Sequence, residues 1–276
     1  NLRTIDLDPV STVSVVEINI SEISDPLERK DVLSAALLEQ WKMETSSVSD
    51  YALKQLGDLE RSETIVSVVL RHDGENSIVV AVWAGFETES YGIAIDVGST
   101  TIAGHLLELS TGEIRASHGL MNPQIRLGED LMSRVSYAMM NPDGGRALTD
   151  LARGAINDLV RELAIIAQIP LHKIVEVILV GNPVMHHLFL GLDATPLGQA
   201  PFTLQIAESV LVEATSLELI CEAAYVYVLP CIAGHVGADT AAVILAEDPM
   251  NFDGPLLIVD VGTNAEIILS VDGKLF

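Results

Sequence analysis

The chain has 276 residues, 49% hydrophobic and 20% charged, which is enough to bury a core without disulfide or metal staples and excludes disordered and collagen-like classes. Thirty-nine acidic residues against 15 basic ones give a formal net charge of −24, the wrong sign for nucleic acid or an anionic membrane surface, and no apolar run reaches the ~20 residues of a spanning helix. The two cysteines, Cys221 and Cys231, cannot alone build a four-thiolate zinc or iron–sulfur site and read as reduced, buried thiols. The opening NLRTIDLDPV lacks the basic and apolar regions of a secretory signal, which points to a cytoplasmic protein. Asn1 in place of a starting Met points to sequence upstream.

Val13, Val15, Ile18 and Ile20 alternate with polar residues at the period of a half-buried strand. Ser24 or Asp25 then caps a helix with Pro26 in its first turn, and Val32, Leu33, Ala36, Leu37 and Trp41 recur at helical spacing. A short helix over 51–59 leads to strands 64–71 and 77–83 joined through Asp73-Gly74, a hairpin signal. Trp41 and Trp83 read as core. Residues 1–88 therefore form a small α+β domain. A second domain, 89–252, opens with a meander of strands 92–97, 101–108 and 114–120. It continues with helices 128–140 and 145–168 and strand 173–180. Asn182 caps a helix that starts at Pro183 and runs to Leu190; strand 223–229 and helix 237–246 follow. From 253 the style of the meander returns, with strand 255–261, a Gly262-Thr263-Asn264 turn and strand 265–271.

This return is an internal repeat: IAIDVGSTTIAGHLLEL from Ile93 and LIVDVGTNAEIILSV from Leu257 both set Asp-Val-Gly and hydroxyl or amide residues between two apolar strands. At such a tip Gly98 permits close backbone approach, and turn N–H groups with the Ser99, Thr100 and Thr101 hydroxyls can surround a phosphate. A carboxylate beside a polyphosphate repels it unless Mg2+ stands between, so Asp96 suits holding a metal-bound water or, as a catalytic residue, orienting one for attack. Asp260, Gly262, Thr263 and Asn264 can act likewise from a facing lobe. Either tip alone is also an ordinary tight turn; their recurrence carries the phosphate reading. Gly237 and Asp239 open the helix at 237–246, where Asp239 either favours the helix N-terminus or faces the bound phosphate. Asn182 is a cap first and a ligand second. His186 and His187, adjacent and so about 100° apart on a helix, cannot chelate one metal and read as helix residues near the cleft.

Two Asp-Gly hairpins in duplicated lobes resemble the superfamily of acetate and sugar kinases, Hsc70 and actin. The resemblance implies an α/β, ribonuclease-H-like lobe, with a second lobe that is incomplete in this chain. Within that superfamily, AIDVGSTTIAGHLLEL at 94–109, NPQIRLGEDLMSRVSYAM at 122–139, VGNPVMHHLFLGL at 180–192, GQAPF at 198–202, IAGHVGADTAAVIL at 232–245 and DVGTNAEIIL at 260–269 resemble the ATP-dependent reductive activators of corrinoid enzymes. That family's activity is implied to be ATP-driven reduction of a Co(II) corrinoid, carried by a methyltransfer protein partner, to Co(I). The electron is implied to come from a ferredoxin-like [2Fe–2S] domain that this sequence lacks, and a homodimer is compatible with the family. Asp96, Gly98, Ser99 and Thr100 carry over as its first phosphate motif, and Asp260, Gly262, Thr263 and Asn264 as its second. Asp239 carries over as a cleft residue. The alternatives are a small-molecule kinase of the same superfamily and a non-catalytic, nucleotide-tuned interaction module.

Overall fold

The structure is a computed structural model that describes residues 7–74, 76–262 and 265–276. Strand β1 (Ser11–Glu17) pairs antiparallel with β3 (Ile65–Asp73), β3 with β4 (Asn76–Ala84), and the two-residue β2 (Ser47–Val48) runs parallel to β4. Helix α1 (Pro26–Trp41) starts where the Asp25 carboxylate accepts from Leu27 N at 3.0 Å, and α2 (Asp50–Asp58) where the Ser49 hydroxyl accepts from Ala52 N at 3.1 Å. Both helices bury their apolar stripe, Leu33, Leu37, Ala52 and Leu56, with Val66, Val68 and Leu70 of the sheet. Arg29, buried between them, donates to the carbonyls of Leu56 and Leu59 at 2.7 and 2.9 Å and so satisfies the C-terminal end of α2.

Two expectations change here. Trp41 is 47% exposed, with its indole N–H donating to the Val15 carbonyl at 2.8 Å, so it is a surface residue tied to the edge strand β1. In β1 the inward set is Ser14 and Val16, continuing to Ile18 and Ile20. Val13 lies on the other side, in the cluster of Val69, Ala81 and Trp83 with Val175 and Ala223 of the following unit. The strand is therefore covered on both faces, and a two-residue period cannot by itself say which face is the core.

The second unit holds a six-stranded sheet of order β7-β6-β5-β8-β10-β9. Strands β5 (Tyr91–Val97), β6 (Thr101–Glu108) and β7 (Ile114–Met121) form the antiparallel meander. β8 (Ile174–Gly181) runs parallel to β5, and β10 (Tyr225–Val228) parallel to β8. The sequence reading lacks β9 (Val210–Glu213), which adds antiparallel to β10 at the edge. Helix α3 (Leu131–Met140) begins at the Asp130 cap, three residues later than Gly128, because 123–126 form a separate 3-10 turn capped by Asn122. The 24-residue α4 (Gly144–Ala167) buries Leu148, Ile156, Leu159 and Leu163 in one core with Ile93, Ile95, Val97, Ile102 and Leu106. Helices α5 (Pro183–Leu190) and α6 (Ala238–Glu247) follow β8 and β10. A separate three-stranded sheet, β11 (Leu256–Val261), β12 (Ala265–Val271) and β13 (Lys274–Leu275), ends the chain. Leu257, Val259, Val261 and Ile267 stand exposed on it.

The first unit joins the second through a buried ion pair: Arg71 Nε lies 3.0 Å from Glu176 Oε1, without hydrogen-bond alignment. The Ser11 hydroxyl donates to the same oxygen at 2.6 Å. Lys173 Nζ donates to Glu87 at 2.8 Å and sits 4.0 Å over the Trp83 ring. Among the described residues no helix is long and apolar enough to cross a membrane.

Candidate functional site

β5 and β6 stay paired as far as Val97 opposite Ile102, leaving 98–101 as the hairpin tip. A Cβ on Gly98 would lie 2.6 Å from the Thr101 carbonyl, so the tight turn requires glycine. The tip's carbonyls are held from the protein side. Asn122 Nδ2 donates to the Gly98 carbonyl at 2.8 Å, Asn122 N to the Thr100 carbonyl at 2.8 Å, and the Arg134 guanidinium to the Ser99 carbonyl. In a trans peptide the N–H points opposite the C=O. The N–H groups of 99–101 therefore turn away from Asn122 and Arg134, as an anion cradle requires.

A cavity of about 390 Å3 is lined by Asp96, Gly98, Ser99, Thr100, Thr101, Asn182, Asp239, Asp260, Gly262 and Glu266. Both Asp-Val-Gly tips thus meet one space, at the ends of the parallel strands β5 and β8 where ligand sites of open α/β sheets lie. Four of its walls are carboxylates, and they disturb one another. Burial, then the charges of Asp239 and Asp260, push Asp96 up to about 6. Burial and Asp260 also raise Asp239, against the Thr240 N–H that donates to its Oδ1 at 2.7 Å. Glu266 is raised by burial and by Asp239 and Asp260.

Of the sequence-derived candidates, the structure brings Asp96, Gly98, Ser99, Thr100, Thr101, Asp239, Asp260 and Gly262 to this cavity. Thr263 and Asn264 lie outside the described residues. Gly237 does not line the cavity. It packs behind the wall, where a Cβ would come 2.6 Å from Asn182 Cα and 2.7 Å from both the Gly181 carbonyl and Asp239 Oδ1. Asn182 does both things expected of it, accepting from Met185 N at 3.0 Å as the cap of α5 while lining the cavity. His186 and His187 are fully buried and do not face the cavity. His187 Nδ1 is 2.8 Å from the Pro183 carbonyl and its Nε2 accepts from Gln205 N at 3.0 Å, so it is neutral and structural.

Glu266 escaped the sequence reading, yet its signal was present. Opposite Asp260 in the β11–β12 register stands Glu266, whereas Asp96 faces Ala103. Residues directly opposite share a sheet face, so the second copy carries two carboxylates where the first carries one. Asn122 and Arg134, which hold the first tip, were also missed; Asn122-Pro123 repeats the cap signal of Asn182-Pro183.

An oxygen-rich, carboxylate-lined space fits a hard divalent cation. Among the described residues no three acidic or imidazole groups converge closely enough to chelate a metal directly. A larger cavity of about 1090 Å3 shares Asn182 and Glu266 with this one and is mainly apolar, with Met132, Val184, Ile232 and Ile267 among its walls.

Residues 91–251 match the family described as RACo middle region. A curated relative from Eubacterium limosum, the corrinoid activation enzyme RamQ, is 31% identical over 192 residues, covering 69% of this chain and 32% of its own. The Co(II) methylated amine-specific corrinoid protein reductase of Methanosarcina barkeri is 25% identical over 195 residues, 67% of this chain and 35% of its own. A solved structure, a reductive activator for corrinoid, iron-sulfur protein, matches with a TM-score of 0.84 at 28% identity, over 99% of this chain and 44% of that one. The chain spans about a third of the length of the curated relatives it matches.

Proposed function

The chain belongs to the RACo middle region family, and from that premise we propose that it carries the phosphate-binding part of an ATP-dependent activator that returns Co(II) corrinoid proteins to Co(I). The strand order β7-β6-β5-β8-β10 supports a ribonuclease-H-like lobe of the actin and Hsc70 kind, with β11–β13 as the opening of its facing lobe. The observation that carries the reading is that both hairpin tips line one cavity.

The 98–101 tip receives phosphate oxygens on its N–H groups and the Thr100 and Thr101 hydroxyls. Asp96 and Asp260 would hold Mg2+ through water, and the ion would offset phosphate charge there; Gly262 lets the second backbone approach. Asp239 orients a water at the cavity wall. Hydrolysis of the bound nucleotide supplies the free energy, because Co(II) reduction is uphill for ordinary donors and a ligand can shift an equilibrium only by its differential affinity for the two states. The partners of the whole protein are a corrinoid-carrying methyltransfer protein and a ferredoxin-like [2Fe–2S] electron donor domain.

The test is spectroscopic. With Mg-ATP, a reductant and a corrinoid protein, the whole protein converts the Co(II) spectrum to that of Co(I), and Asp96→Asn slows this about a hundredfold, the scale of losing one electrostatic stabiliser. Reduction that proceeds equally without nucleotide overturns the reading. Asp239, which lines the carboxylate cavity with a raised pKa, gives a phosphotransfer reading one observation of its own; ADP release stimulated by a small hydroxylated or acidic substrate would favour it.

A further inference from the structure

Among the described residues, none that lines the carboxylate cavity is Lys or Arg, although a polyphosphate is the anion it would receive. The cation that reaches the cradle does so from behind. Arg134, 0% exposed, projects from α3 into the protein. Its guanidinium donates to the Gly128 carbonyl at 3.0 Å, to Gln124 Oε1 at 3.2 Å and to the Ser99 carbonyl, and Nη1 lies 3.1 Å from Met185 Sδ. Every one of these partners is neutral. Among the described residues no carboxylate pairs with it; Asp130, the acidic group that acts on it, is engaged by the Ser133 N–H and hydroxyl at 2.7 and 2.6 Å.

A buried cation with only neutral partners is costly, and a fold that needed only carbonyl acceptors satisfied could have used a neutral donor. Burial draws Arg134 down to about 10, so it stays charged at neutral pH. Its bond to the Ser99 carbonyl polarises the 99–100 peptide unit, whose N–H end points the other way. In a poorly screened interior the positive field therefore extends through the loop to the cradle side.

We propose that Arg134 is the positioning residue and buried counter-charge of the 98–101 cradle, its charge pair being completed by the anionic phosphate group bound there. This rests on the nucleotide reading above.

Displacement titrations of Mg-ATP and of AMP on the whole protein, wild type beside Arg134→Lys and Arg134→Gln, test it. Mg-ATP affinity should fall in the order wild type, Lys, Gln, with the Gln variant weakened roughly tenfold or more, as for loss of a charged hydrogen bond. AMP affinity should change little across the three. Partial recovery in Lys reads charge, which a purely structural role would not produce. If Gln does not fold, Lys decides alone, because its ammonium cannot span the same acceptors: it must lose Mg-ATP affinity while keeping that for AMP. Equal losses for both ligands, or none, overturn the role of Arg134 and leave the nucleotide reading standing. A wild type that binds no Mg-ATP overturns both.

Discussion

Four carboxylates face one small cavity with no basic side chain among its described walls, and their repulsion makes stability depend on pH. Asp96 rises from 3.8 to about 6 on folding, so between those values the folded state binds more protons than the unfolded one. The sign follows by linkage: this group's contribution is most favourable below about pH 4, declines as pH rises through about 6 and stays low above. Asp96→Asn should therefore raise Tm at pH 7.5, by roughly 1–3 °C since the carboxylate keeps access to water, and change it little at pH 4. Scanning calorimetry at the two pH values checks this, and the same variant should lose activity. Millimolar Mg2+ should raise the Tm of the wild type more than that of Asp96→Asn, because a cation that binds only the folded state stabilises it by mass action. Asp96 and Asp260 were legible because Asp-Val-Gly recurs. Arg134 was not, because a lone arginine in LMSRVSYAMM looks like the solvated side of a helix until its burial is known.

Whole elements were easiest to read where chemistry marks their ends. Asn182-Pro183 fixed α5 because an amide cap and a ring with no N–H to satisfy are both needed at a helix start. β9 had no such mark: four residues, VLVE, acquire strand geometry only by pairing with β10, a contact between segments distant in sequence. The start of α6 shows how element ends build the cavity wall. Gly237 lets α6 approach the β8–α5 turn so closely that a methyl group there meets backbone within 2.7 Å. Gly237→Ala should cost about 1–3 kcal/mol as overpacking, measured by urea unfolding, and should weaken Mg-ATP binding by displacing Asp239. Gly145→Ala, where a methyl group meets nothing within 4 Å, is the control and should be neutral or stabilising.

For the molecule as a whole, the first unit is fastened to the face of the large sheet through Arg71, Glu176 and Ser11. Burial raises the Glu176 pKa in spite of both partners, so desolvation outweighs the pairing. Removing one member strands the other: Arg71→Met should cost about 3–5 kcal/mol and separate the unfolding of the two units into distinct transitions. Replacing all three by apolar residues of similar volume should restore most of that loss, read by the same denaturant curves. None of this junction was legible, because its members stand 60 and 165 positions from Ser11 in the chain and no local pattern marks a tertiary pair. The bare apolar side chains of β11 and β12, Leu257, Val259, Val261 and Ile267, bear on how a polypeptide of these 276 residues alone behaves in solution. A formal charge of −24 keeps copies apart in dilute buffer, but at 1 M ionic strength the Debye length shrinks to about 3 Å. Sticky strips then come within reach of one another, so light scattering should report self-association that grows on adding sodium chloride and fades on dialysis against water.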